Sequence, residues 1–272
     1  MRHGSTNVCF SLLLCLAAMS VLAAETWQEP VTGMEFVSLP KSCFKMGVPA
    51  DAFPDEKGNY FYNRRIKLEK PQHEVCLDAF WIGRYEVKSS EWHKVMGEGA
   101  APGELDKPMT GITREQASEF ARRLTEASGG GVRFRLPTEA EWEYACRAGA
   151  PATLSVPYYS DLDDKAWYAS PYGKQDGTRL SVVQQVGLKK PNAFGLHDML
   201  GNAWEWVQDA YLPDAYARHA LYNPVVVGQD ENHTIRGGGV RSGRAMIRCE
   251  TRAWLPRDET QDTVGLRLVR TR

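Results

Sequence analysis

The chain has 272 residues, 43% of them hydrophobic and 25% charged, and its 33 lysines and arginines against 34 aspartates and glutamates leave a net charge of -1. Nothing in that balance suggests the basic surface of a nucleic-acid binder. Beyond the leader, no apolar run is long enough to cross a bilayer as a helix.

Arg2 and His3 precede an apolar run from Val8 to Ala18, and small residues follow at Val21-Leu22-Ala23-Ala24. This is the pattern of a secretory signal peptide, taken as residues 1–23. The run is shorter than the ~20 residues of a membrane anchor and is broken by Ser11, Cys15 and Ser20. Cys15 has bulky leucines ahead of it where a lipidation site has small residues, so plain export is expected.

Short strands are predicted at Glu35–Leu39, Phe44–Met46, Val75–Ile82, Thr234–Arg236 and Leu266–Val269. Ser89 is expected to cap a helix burying Trp92, Val95 and Met96, stopped at Gly97. A capping box at Thr113 and Gln116 opens a second, with Ala117, Phe120, Ala121 and Leu124 on one face and Gly129-Gly130-Gly131 behind it. A third begins at Thr138 with Glu141 and carries Trp142, Ala145 and Cys146. Glycine, proline, asparagine and aspartate clusters separate these pieces, and the aromatic stretch Tyr211–Tyr222 reads as loop. The expectation is one loop-rich α+β domain over residues 32–270, with 24–31 as a short leader strand or tail.

Cleavage of the leader removes Cys9 and Cys15 and leaves Cys43, Cys76, Cys146 and Cys249. In an oxidising compartment four cysteines point to two disulfides, with three pairings open. No C-x-x-C or H-E-x-x-H spacing suggests zinc, and no nucleophile elbow or Walker loop is present. Gly237-Gly238-Gly239 lacks the rest of a dinucleotide fingerprint. His73, His93, His197, His219 and His233 are scattered and read as surface or hydrogen-bonded core residues.

Two segments invite a binding role. Calcium takes about six to eight hard oxygens, and a turn through Gly201-Asn202-Ala203 can aim carbonyls toward the carboxylates of Asp198 and Glu205. The competing reading pairs Glu205 with an arginine such as Arg267 and needs no ion. Farther on, Arg241, Ser242, Arg244, Glu250 and Trp254 set guanidiniums beside an aromatic, which suits a carboxylate or an extended peptide. Arg248 and Arg252 are expected to brace the core.

Ordered blocks run through the chain: Gly33-Met34-Glu35-Phe36-Val37, Phe80-Trp81-Ile82, Arg135-Leu136-Pro137-Thr138-Glu139-Ala140-Glu141-Trp142-Glu143-Tyr144-Ala145, Asn192-Ala193-Phe194-Gly195-Leu196, Asp198-Met199-Leu200-Gly201-Asn202-Ala203-Trp204-Glu205-Trp206, and Arg236-Gly237-Gly238-Gly239 with Gly265-Leu266-Arg267. Together they resemble the formylglycine-generating enzyme, or sulfatase-modifying factor, family. The resemblance implies a mixed fold related to C-type lectins and a Cys146–Cys249 disulfide, which leaves Cys43 to Cys76. It also implies a structural calcium ion at Asp198, Gly201, Ala203 and Glu205. A second family calcium site would fall near 167–187, where this sequence departs from the pattern.

Active family members carry two cysteines just after the glycine run, which bind copper(I) and oxidise a substrate cysteine. Here that interval reads Val240-Arg241-Ser242-Gly243-Arg244-Ala245-Met246-Ile247, so no copper is expected. Related sulfoxide synthases place iron on histidines of an extra helical domain that this chain is too short to hold. The chain is similar to exported members without the thiol pair that act in the bacterial periplasm upstream of a kinase controlling type VI secretion. This implies a non-catalytic protein in the periplasm whose partner is an envelope protein, either the periplasmic domain of a membrane kinase or an outer-membrane lipoprotein. The alternative it implies is a periplasmic oxidative enzyme acting on a peptide or siderophore precursor.

Overall fold

The chain begins its ordered path as a strand, Thr26–Gln28 (β1), laid antiparallel on Glu35–Leu39 (β2). The structure, a computed structural model, describes residues 25–50, 66–97, 103–129, 131–150, 161–169, 181–228 and 231–271. The leader at 1–23 and residues 170–180 of the second family calcium stretch lie outside them.

β1 lies within the stretch 24–31 expected as a short leader strand or tail. Trp27 packs against Phe36 and Phe134 with ring centroids 5.7 and 6.2 Å away, and the Glu29 carboxylate accepts from the Val31 and Thr32 amides. A segment that packs a partly buried aromatic on the core and pins its own turn is continuous with the fold.

Later strands follow in chain order: Ser42–Met46 (β3), His73–Leu77 (β4), Phe80–Gly83 (β5), Arg133–Arg135 (β6), Trp204–Ala210 (β7), Asn232–Arg236 (β8), Arg252–Pro256 (β9), Val264–Leu266 (β10) and Val269–Thr271 (β11). One sheet runs β1-β2-β5-β11-β6, a second β10-β7-β8-β9, and β3 pairs with β4 alone. β11 lies between β5 and β6, so the last residues of the chain are stitched beside its first strands. The run expected as one strand over 75–82 is two, because Asp78 and Ala79 turn away and the Asp78 amide goes to the Asn223 side chain at 3.0 Å.

The helices form where capping predicts. Thr113 and Gln116 exchange side-chain and backbone bonds of 3.1 and 2.8 Å ahead of α2, Arg114–Ala127, whose Ala117, Phe120, Ala121 and Leu124 are buried. Thr138 and Glu141 do the same for α3, Glu139–Arg147, every residue of which is buried. α1, Ser89–Met96, differs in its cap: Lys88 holds that position, because the Glu91 carboxylate reaches back to the Lys88 amide at 2.9 Å and Ser89 is already helical. Trp92 is buried against Phe120 at 4.9 Å, whereas Val95 and Met96 are only partly covered. A short α4 spans Leu162–Lys165. One apolar core packs α3 with Met199, Val207 and Tyr216, and the other fills the space between α1, α2 and the two larger sheets.

Two disulfides form, Cys43–Cys76 across β3 and β4 and Cys146–Cys249 from α3 to the C-terminal segment. No helix among the described residues is long and apolar enough to cross a membrane.

Candidate functional site

Three left-handed residues, Asp198, Gly201 and Asn202, fold the Asp198–Glu205 segment into a tight loop. Only glycine fits at 201: its φ is +80°, and a Cβ there would meet the Trp167 carbonyl oxygen at 2.1 Å. That carbonyl accepts from the Asn202 amide at 2.8 Å, and the Val240 amide donates to the Asn202 carbonyl at 2.7 Å, so this loop is tied to the glycine-run loop.

Inside the loop sits a buried acidic cluster. Asn202 donates to Glu86 Oε2 at 2.7 Å, and the Ala203 amide donates to Glu86 Oε1 at 2.9 Å. Burial, reinforced by the Asp198 and Glu205 carboxylates, pushes Glu86 well above the usual carboxylate range. Burial likewise raises Asp198. Its Oδ2 accepts from the Gly187 amide at 2.7 Å, while its Oδ1 is buried without a partner. Glu205 follows the competing expectation: both oxygens face Arg267, the shortest contact being 2.7 Å, and Oε2 also accepts from Trp142 Nε1 at 2.7 Å.

Three carboxylates therefore share one guanidinium, and full ionisation would leave two negative charges uncompensated in a dry interior. The orphaned Asp198 oxygen and this charge deficit fit a divalent cation. Glu205, already committed to Arg267 and Trp142, fits one less well. Among the described residues no three histidine, cysteine, aspartate or glutamate side chains form a metal cluster, so any cation here would lean on backbone carbonyls of the kind expected at Gly201 and Ala203.

The interval after the glycine run is a braced turn. Arg241, half exposed, forms a two-pronged pair with Asp262 at 2.7 Å and donates Nε to the Ser181 carbonyl. Ser242 Oγ accepts from the Gly239 amide at 3.0 Å, and the Ser242 carbonyl takes the Ala169 amide at 2.9 Å. Arg244 donates to the Tyr168 hydroxyl at 3.0 Å. Val240 and Ile247, at either end, are buried.

Of the five residues expected to contact a ligand, Arg241, Ser242 and Arg244 share this one turn. Trp254 does not join them; it stands 47% exposed on β9, its ring 6.1 Å from Tyr211. Glu250 must be withdrawn from the ligand surface. It is fully buried, 2.9 Å from Arg147 Nη2, and burial pushes it up to about 7.

Glu250 belongs to an ion network that the sequence announces only through Arg248 and Arg252. Arg248 clasps Glu69 at 2.6 and 2.8 Å, and Arg252 clasps Glu139 with both prongs. Arg147 and Arg236 both bond Glu143. Against the upward push of burial, these two guanidiniums hold Glu143 at about 2. Glutamates at the first and fifth positions of α3 are the signal that could have revealed it, since they face one way on a helix otherwise built from core residues.

The histidines take supporting places. His73 and His219 bond each other at 3.0 Å, and the rings of His93, His197 and His233 each meet a backbone carbonyl.

Residues 23–272 match the family model described as the sulfatase-modifying factor enzyme 1-like domain. The formylglycine-generating enzyme of Bos taurus is 24% identical over 88% of this chain and 75% of its own length. The serine/threonine-protein kinase pkn1 of Chlamydia pneumoniae is 31% identical over 62% of this chain, which corresponds to 25% of the kinase. Among solved structures, PvdO from Pseudomonas aeruginosa superposes with a TM-score of 0.76 at 24% identity, covering 92% of this chain and 99% of that one. The chain therefore belongs to the family of the sulfatase-modifying factor enzyme 1-like domain.

Proposed function

We propose that this is an exported, non-catalytic member of its family that binds an envelope protein and regulates it, upstream of kinase-controlled type VI secretion. The observation that carries the reading is the 240–247 interval. It holds no thiol, and its polar side chains are engaged in bracing the turn, with Arg241 on Asp262 and Arg244 on Tyr168. Copper(I) selects soft thiolates, and none stands there. Two disulfides suit an oxidising compartment such as the periplasm. The periplasmic domain of a membrane kinase or an outer-membrane lipoprotein is the occupant proposed for the Arg241 face.

The test is a pull-down from envelope extract with the leader-free chain, in parallel with an aldehyde assay on a sulfatase-type cysteine peptide. Recovery of one envelope protein, weakened by Arg241→Ala, supports the reading; aldehyde formation would overturn it. A second reading, a periplasmic oxidative enzyme acting on a peptide or siderophore precursor, is favoured by the PvdO likeness and would show as consumption of such a substrate with no protein captured.

For the acidic loop we propose a structural calcium ion held by Asp198, Gly201, Ala203 and Glu205, supported by the partnerless Asp198 oxygen. It would neutralise the cluster. Calcium should raise the melting temperature and Asp198→Asn should abolish the rise; a midpoint indifferent to chelator counts against the ion.

A further inference from the structure

A cleft of about 550 Å3 opens between α2 and β6, within the size range of small-molecule sites. Four arginines line it, Arg114, Arg122, Arg133 and Arg135, with Phe134 and Leu136 in its apolar wall. Two of the four are satisfied. Arg122 is held by Glu119 and Glu126, and Arg135 makes a two-pronged pair with Glu141 at 2.7 Å.

The other two make no ion pair among the described residues, although Glu115 and Asp209 act on Arg114 from farther away. Arg114 donates Nη2 to the neutral Gln208 carbonyl at 2.8 Å, and its Nε is buried with no partner. No carboxylate stands within ion-pair distance of Arg114 among the described residues, and the exposed Arg133 has neither an ion pair nor a hydrogen bond among them. A guanidinium N–H shut away from water without an acceptor is costly, and natural structures rarely leave one so. Arg114 also opens α2, where the positive end of the helix dipole adds to the attraction for negative charge.

The open fork of Arg133 and the remaining guanidinium edge of Arg114, beside an apolar wall, match the planar oxygens of a carboxylate or a phosphate. We propose that this cleft binds a small ligand bearing an oxyanion, with Arg114 and Arg133 as its anchors. None of its lining residues belongs to the 240–247 turn or to the acidic loop, so the site stands independently of the function proposed above.

Titration calorimetry on the leader-free chain with inorganic phosphate and with citrate, at matched ionic strength, tests this. Saturable binding of either probe is expected, and Arg133→Gln should weaken it about tenfold or more, the weight of one charge-assisted contact. Phosphate alone binding would assign a phosphate ligand, and citrate alone a carboxylate. Arg133 is exposed, so its variant should fold; Arg114→Gln, checked by circular dichroism, should weaken binding at least as much. The proposal is overturned if neither probe saturates, or if Arg133→Gln binds as the parent does.

Discussion

Removing Arg236 tests whether buried charge holds this fold together. Its side chain is fully buried, with Nη1 donating to the carbonyls of Glu250 and Thr251 at 2.9 and 3.0 Å. Nη2 donates to Glu143 Oε2 at 2.6 Å and to the Cys249 carbonyl at 2.7 Å. Arg236→Met keeps much of the volume and deletes all four bonds. Breaking a buried pair from one side costs about 3–5 kcal/mol, and each stranded carbonyl adds about 1–3 kcal/mol before relaxation. Arg147 still faces Glu143 and Tyr216 still donates to it at 3.2 Å, so the lower end applies to the carboxylate. The sum is about 5 kcal/mol or more, comparable with the whole stability of an ordinary domain, about 5–15 kcal/mol. Urea unfolding followed by tryptophan fluorescence should show a large loss of midpoint or an unfolded chain. Adding Glu143→Gln should recover part of the loss, because the unpaired charge is then gone. A single variant that loses less than about 1 kcal/mol would refute the argument, since a network so cheap to break cannot be dry.

Burial pushes Glu250 and Asp209 up to about 7, and two guanidiniums hold Glu143 at about 2. The raised pair contributes stability that is complete below about pH 4 and lost as pH rises through about 7, roughly 3 kcal/mol each; Glu143 contributes stability that is lost as pH falls from about 4.5 toward 2. Denaturation midpoints should therefore peak near about pH 4–4.5, and a higher midpoint at about pH 8.5 would contradict this. Gly201→Ala should cost about 3 kcal/mol by thermal melting, from left-handed strain and the clash with the Trp167 carbonyl; a neutral result would mean the two loops separate freely. Replacing Cys146 and Cys249 by alanine should cost about 5 kcal/mol, against about 4 kcal/mol for Cys43 and Cys76, because their loops span 103 and 33 residues. Urea midpoints in the reverse order would count against the loop-entropy account.

α2 and α3 were legible because each is announced by local chemistry. Thr113 with Gln116 and Thr138 with Glu141 are reciprocal bonds over three residues, and no distant contact is needed to form them. β7 and β9 were not. In β7 the residues Glu205 and Asp209 occupy buried positions, which inverts the polar alternation of a half-exposed strand. What makes this tolerable is distant: Arg267 for Glu205, and the amides of Glu139 and Val226 for Asp209. Glu250 misled for the same reason. A glutamate beside arginines near a chain end reads as surface, and its burial depends on Arg147, about a hundred residues earlier. The three residues of the 240–247 turn were found together because they are neighbours in sequence. Trp254 was added to them by proximity in the chain alone, and β9 carries it elsewhere.

The buried arginines explain how so irregular a chain keeps its loops. Backbone carbonyls outside helices and sheets still need donors, and here guanidiniums supply them. Arg236 takes the carbonyls of 249, 250 and 251, Arg147 that of Gly47, Arg252 that of Leu68, and Arg267 those of Gly83 and His197. Each of these arginines also faces a buried glutamate, so one side chain closes a loop and neutralises a charge together. The 240–247 turn meets that system where Arg248 Nε donates to the Ala245 carbonyl at 3.0 Å. Its own side-chain pairs, Arg241 to Asp262 and Arg244 to Tyr168, are partly exposed, and exposed pairs contribute little to stability. Exchange of the half-exposed Arg241 should therefore cost the stapled core little. A turn braced by such pairs is where a scaffold stapled by buried ion pairs can vary at least cost to its fold.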